Sequence, residues 1–258
     1  MRVASLVALS AATRAPPPQL NFFEQFMPKP QSTPADVYNP DASAPLPGLP
    51  TQYDEIYESA AQGIKAAVAD GVSVVEVDFP PIANVNRLSD GSAKSEKIVH
   101  EANAAAAAAL KRSLEGEDMR VAFIGCSGGS RSALKSACGE ASSLRDGAPA
   151  DSIALVVQPT AEEQWEAAET LQSRCVVVLN GLLSNGMYSH AYYYKPLTAF
   201  STVTGGVVRR YPGPYTCYSI DGKPVDLEVG LTTQGRRALP DTKVAQMKLQ
   251  QNEFGSRQ

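Results

Sequence analysis

Apolar positions recur at helical spacing from about Tyr53 to Asp70, where Ile56, Ala60, Ile64, Ala67 and Val68 fall on one stripe. Thr51–Asp54 has the layout of a helix N-cap, and Gly71 stands where a helix stops. Val72–Phe79 follows as a β-rich run closed by Pro80–Pro81. The alternation then repeats. A helix is predicted from about Lys94 to Leu114 through an alanine tract of high intrinsic helicity. Arg120–Ile124 reads as a strand, a glycine-rich turn follows, and a helix is predicted from about Arg131 to Leu144. Ile153–Val157 is another strand. Thr160–Glu163 is a capping box for a helix carrying Trp165, Ala168 and Leu171. Cys175–Leu179 is continuously apolar, as suits a strand buried on both faces.

After Asn180 the pattern changes. Ala191–Tyr194, Val203–Tyr211, Thr216–Ile220 and Pro224–Val229 read as β segments, with Asp221–Gly222 as a hairpin turn. Alternating helices and strands followed by successive strands predict a single α/β domain over 51–230. Its mainly parallel, Rossmann-like sheet carries helices on both faces and an antiparallel C-terminal extension. Residues 231–258 read as a polar C-terminal tail with a short helix after Pro240.

The N-terminal stretch differs in kind. One arginine precedes a short apolar run ending in small residues at Ser10–Ala12, and residues 13–35 are poor in acids. A signal-like segment followed by a transit-like one over 1–35 suggests the two-part leader of algae with secondary plastids. A Pro-rich linker is expected over 36–50. This leader would take the protein to the plastid, to the stroma or the stromal face of the thylakoid.

Composition narrows the function classes. The formal net charge is -4 and basic residues occur only as short pairs such as Arg209–Arg210, which argues against a nucleic-acid partner. No run reaches the roughly 18–20 apolar residues of a transmembrane segment, so membrane contact would be peripheral. The four cysteines have no zinc-ribbon or CxxC spacing, and two histidines exclude a His-rich metal site. The sequence therefore gives no ground for a metal or cofactor.

Three constellations invite chemistry. Gly125, Ser127, Gly128, Gly129, Ser130 and Arg131 lie in a strand-to-helix turn whose free N–H groups suit an anion, which gives a phosphate- or nucleotide-binding reading. The same turn matches G-x-S-x-G with Ser127 as nucleophile, but the partners left for a triad are Asp151 and His190. Serine hydrolysis is the weaker reading of the turn, and the tight turn itself accounts for the glycines. Glu76 and Asp78 point to one face of a strand, without a supporting group to make them an acid–base pair. The densest signal is Tyr193, Lys195, Arg209, Arg210, Tyr211 and Tyr215, residue types typical of protein-binding hot spots. Cross-strand packing is the competing explanation for these tyrosines. No catalytic residue is assigned.

Val177–Asn180, Tyr192–Pro196 and above all Gly206–Tyr215 followed by Tyr218 resemble a cyanobacterial and plastid domain-of-unknown-function family. That family includes the plant Low PSII Accumulation three protein. The likeness extends over about residues 50–222, including the strand and proline pair at Val74–Pro81. It implies a peripheral plastid factor that serves photosystem II assembly or accumulation by touching assembly proteins or core subunits. The family carries no agreed catalytic residues. Gly125–Gly129 and Asn180–Gly181, where a proline often follows the asparagine, depart from its usual pattern.

Overall fold

The computed structural model describes residues 48–82, 92–115, 119–182, 188–199, 202–225, 231–234 and 237–255. The expected leader, most of the linker and part of the Pro224–Val229 segment lie outside these residues. In chain order the elements are α1 (Tyr53–Ala69), β1 (Val74–Asp78), α2 (Ala93–Leu114), β2 (Arg120–Gly125), α3 (Gly128–Cys138), β3 (Ser152–Val157), α4 (Glu162–Glu169) and β4 (Cys175–Leu179). There follow β5 (His190–Ala199), β6 (Thr202–Arg210), β7 (Thr216–Ser219), β8 (Leu231–Gln234), β9 (Arg237–Pro240) and α5 (Thr242–Gly255).

Seven strands form one mixed sheet in the order β2-β3-β4-β1-β5-β6-β7, and β8 and β9 pair separately. Strands β1 to β5 run parallel, and β5-β6-β7 are antiparallel. The expected α/β architecture is the observed one. Side chains of neighbouring strand residues point to opposite faces, so the sheet has two distinct apolar layers.

The first face buries Val75, Val77, Phe123, Leu155, Val177, Tyr192, Tyr194, Val208 and Tyr218 beneath α1, α2 and α3. The alanine tract of α2 places Ala104, Ala106, Ala107 and Leu110 in this core, so small side chains bring the helix close to its neighbours. Leu49 joins the same layer, so the end of the expected linker is part of the folded domain.

The opposite face is divided. At one end α4 lays Trp165 and Ala168 on Ile124, Ala154, Val156, Val176 and Val178. At the other end Ala245 and Leu249 of α5 cover Leu197, Val207 and Cys217. The segment expected as a polar tail thus supplies a helix to the core. Between these two covers lies the outward face of β1 and the start of β5.

Helix starts shift from their expected places for identifiable reasons. α3 begins at Gly128 because the Ser127 side chain accepts from Ser130 N, and it ends at Gly139, whose φ of 84° is left-handed. Two glycines in a first turn are poor helix formers, which is why the pattern pointed to Arg131. Both expected capping boxes slide by one residue. Thr51 N donates to Glu55 Oε2 at 2.6 Å, and Thr160 N donates to Gln164 Oε1 at 2.7 Å, leaving Gln52 and Ala161 as the N-caps. After α3 the chain rounds the sheet edge. Ser142 bridges Ile124 there, and Leu144 and Ala148 pack on the α4 face.

Candidate functional site

The gap between α4 and α5 is filled by ionisable and aromatic side chains. Val75 and Val77 of β1 face the first core, so the two-residue period turns Glu76 and Asp78 to the other face. β5 pairs Glu76 with His190 but Val77 with Tyr192, and this bulge brings His190 alongside Glu76. His190 and Glu76 are fully buried, and the Asp78 side chain is 22% exposed.

His190 is held at both ring nitrogens. Nε2 lies 2.6 Å from Asp78 Oδ2 and Nδ1 lies 2.6 Å from Tyr215 Oη. Glu76 Oε2 stands 3.9 Å from the same Nε2, while Tyr188 N donates to Glu76 Oε1 at 2.6 Å. The Tyr193 ring is 4.7 Å from the imidazole and meets Tyr215 edge-on at 5.5 Å. The Arg209 guanidinium sits 5.0 Å from the centre of the Tyr215 ring and donates to Gly213 O and Ser189 Oγ. Chemically, the assembly joins two carboxylates and an imidazole under a half-buried aromatic–guanidinium cap. One donor atom from each of Glu76, Asp78 and His190 lies within 4.8 Å of the others, so the three form a potential ligand set.

The tyrosine–arginine residues singled out in the sequence separate by strand face. Tyr193, Arg209 and Tyr215 converge on His190, and Tyr193 and Arg209 are direct cross-strand partners. Arg210 points the other way and donates to Gln62 Oε1 of α1 at 2.6 Å. Tyr211 donates to Asp70 Oδ2 at 3.0 Å, which raises the pKa of its phenol. Lys195 is exposed on β5. The remaining tyrosines of the run, Tyr192 and Tyr194, are core residues, and burial drives both phenols far above their ordinary range. Cross-strand packing accounts for that pair.

The glycine-rich turn lies elsewhere. Gly125 closes β2, Ser127 caps α3, and Ser130 is buried with its hydroxyl 3.4 Å from Val157 O. A side chain at Gly129 would meet His100 Cδ2 at 2.6 Å, so this glycine permits close contact between α3 and α2. Arg131 is partly buried on α3. The groups needed for a triad are not assembled around Ser127. Four strand steps separate β2 from β5, roughly 19 Å at the usual spacing. Asp151 pairs with Arg120 at the amino ends of β3 and β2, the opposite end from Ser127.

A buried amide network lines the carboxyl ends of the central strands, behind this turn. Phe79 N donates to Asn180 Oδ1 at 2.9 Å, Asn180 Nδ2 to Asn103 Oδ1 at 2.8 Å, and Asn103 Nδ2 to Gln158 Oε1 at 3.1 Å. His100 Nδ1 completes it, 2.9 Å from the same Gln158 oxygen. Gln158 and Asn180 have φ of 55° and 49°, left-handed values at the exits of β3 and β4. These linked bonds tie α2 to the loops that leave β1, β3 and β4.

The sequence marked Glu76 and Asp78, and His190 only as a triad partner for Ser127, not as the group that joins the two carboxylates. His190 is 112 residues from Asp78, and its approach depends on a parallel pairing and a bulge. The two-residue spacing was the available signal.

Among the described residues no helix is long and apolar enough to cross a membrane. Searches of curated proteins and of solved structures found no match. Residues 50–234, which contain the whole seven-stranded sheet, match the family described as Domain of unknown function (DUF1995), and the chain belongs to that family.

Proposed function

We propose that this protein is a plastid auxiliary factor for photosystem II assembly or accumulation, working by protein contact at the stroma or the stromal face of the thylakoid. The carrying observation is the packing of Tyr193, Arg209 and Tyr215 into one half-buried patch over a buried histidine. Such a patch binds at low entropic cost: two rigid rings and a guanidinium already fixed by Gly213 and Ser189 lose little freedom on docking. Aromatic rings and arginine also dominate the binding energy of protein interfaces. The resemblance of the tyrosine–arginine run to a plastid family is what suggests a photosystem partner. The expected partner is a photosystem II core subunit or an assembly protein bound to it.

The test is native separation of gently solubilised thylakoids with mass spectrometry of the fractions. Co-migration with photosystem II core subunits or assembly intermediates is expected. A protein found entirely as a free species overturns the reading. The Gly125–Arg131 turn then becomes the region to titrate with nucleotides and sugar phosphates.

A further inference from the structure

We propose that Glu76, Asp78 and His190 bind one divalent transition-metal ion, with Zn2+ preferred over Mn2+. This goes beyond the proposed role in photosystem II accumulation and does not depend on it.

The donor set comes first. One imidazole nitrogen and two carboxylate oxygens suit borderline first-row ions, whereas Mg2+ and Ca2+ favour all-oxygen sites. Bonds of about 2.1 Å at tetrahedral angles separate ligand atoms by about 3.4 Å. His190 Nε2 is 2.6 Å from Asp78 Oδ2 and 3.9 Å from Glu76 Oε2, distances that straddle this value. Small opposite movements would therefore admit an ion. The adjustable member is Asp78, the one partly exposed group of the three.

Burial points the same way. Glu76 and His190 are fully buried, and a divalent ion between them would balance carboxylate charge held away from water.

The surroundings orient the ligands. A metal-bound histidine usually fixes its ring through the other nitrogen. His190 Nδ1 has Tyr215 Oη at 2.6 Å, so with a metal on Nε2 the ring proton sits on Nδ1 and donates to that oxygen. The backbone N–H of Tyr188 fixes the remaining Glu76 oxygen. Three protein ligands leave a fourth position for water or a ligand atom on the Asp78 side. Tyr215 is thus a positioning residue for the ion.

The experiment uses the 258-residue chain, stripped with chelator and dialysed against Zn2+, Mn2+ or Co2+, with metal content measured by plasma mass spectrometry. About one Zn2+ per chain is expected. Asp78→Asn and Glu76→Gln should each weaken uptake at least tenfold, and Tyr215→Phe by about tenfold. Circular dichroism checks that each variant is folded. Asp78→Asn, at a partly exposed position, keeps the test decisive if a buried variant does not fold. The visible spectrum of the Co2+ form should show nitrogen and oxygen ligation without a thiolate band. Failure of the folded wild type to retain metal overturns the proposal, and so does uptake unchanged in Asp78→Asn. A thiolate band, placing the ion on cysteine, overturns it too. All of these readings are made on the isolated protein, so they stand apart from the photosystem test.

Discussion

Asn180→Ala tests whether the amide network holds the carboxyl ends of the strands together. The substitution removes the acceptor of Phe79 N and the donor to Asn103 Oδ1, both in buried bonds. Each stranded group costs about 1–3 kcal/mol. Alanine must also adopt the φ of 49° that asparagine tolerates, at a cost of about 1–2 kcal/mol. Together these give a destabilisation of about 3–8 kcal/mol, a large share of the roughly 5–15 kcal/mol that holds a domain folded. Equilibrium urea unfolding should show a midpoint lowered by more than about 1 M with an unchanged slope. Asn180→Gly, which loses the same bonds without backbone strain, should be less damaging by about 1 kcal/mol. A loss below about 1 kcal/mol in Asn180→Ala refutes the reasoning, since neither the bonds nor the left-handed backbone would then be limiting.

Further outcomes follow from the same geometry. Gly129→Ala places a methyl 2.6 Å from His100 Cδ2, and His100 is held by Gln158. It should cost about 1–3 kcal/mol in thermal or urea unfolding. Gly128→Ala meets nothing within 4 Å and should be neutral or stabilising; equal losses at the two positions would contradict the packing explanation. Burial pushes the Cys126 thiol up to about 12 and those of Cys175 and Cys217 to about 11, and it also raises that of Cys138. At pH 8 a thiol-disulfide reagent should therefore react slowly with the native protein and rapidly with all four cysteines after unfolding. A native thiol as fast as free cysteine would contradict this.

Sequence periodicity exposed much of the fold because local rules and tertiary packing agree there. The continuous apolar run Cys175–Leu179 is a central strand, and the stripe Ile56–Ile64–Ala67 is the buried side of α1. Agreement ended where a neighbouring element decided. Helix α5 has a polar sequence, but Ala245 and Leu249 suffice to seat it on β5 and β6. The cap positions moved because Glu55 and Gln164 reach the backbone of Thr51 and Thr160 from four residues away. At the candidate site, residue types were legible and orientation was not. Arg209 and Arg210 look equivalent in sequence, yet strand alternation sends one to His190's side and the other to α1. Predicting that division requires the register of β5 with β6, which no local pattern supplies.

This division gives the central claim its most direct test. Arg209→Ala and Arg210→Ala would each replace the wild-type protein in the cell, with abundance checked by immunoblot. Native separation would then measure the fraction travelling with photosystem II core or assembly complexes. The account predicts that Arg209→Ala loses this association while Arg210→Ala, whose side chain contacts Gln62 on the other face, retains it. Undiminished association of a stable Arg209→Ala protein, or equal loss in both, would contradict it.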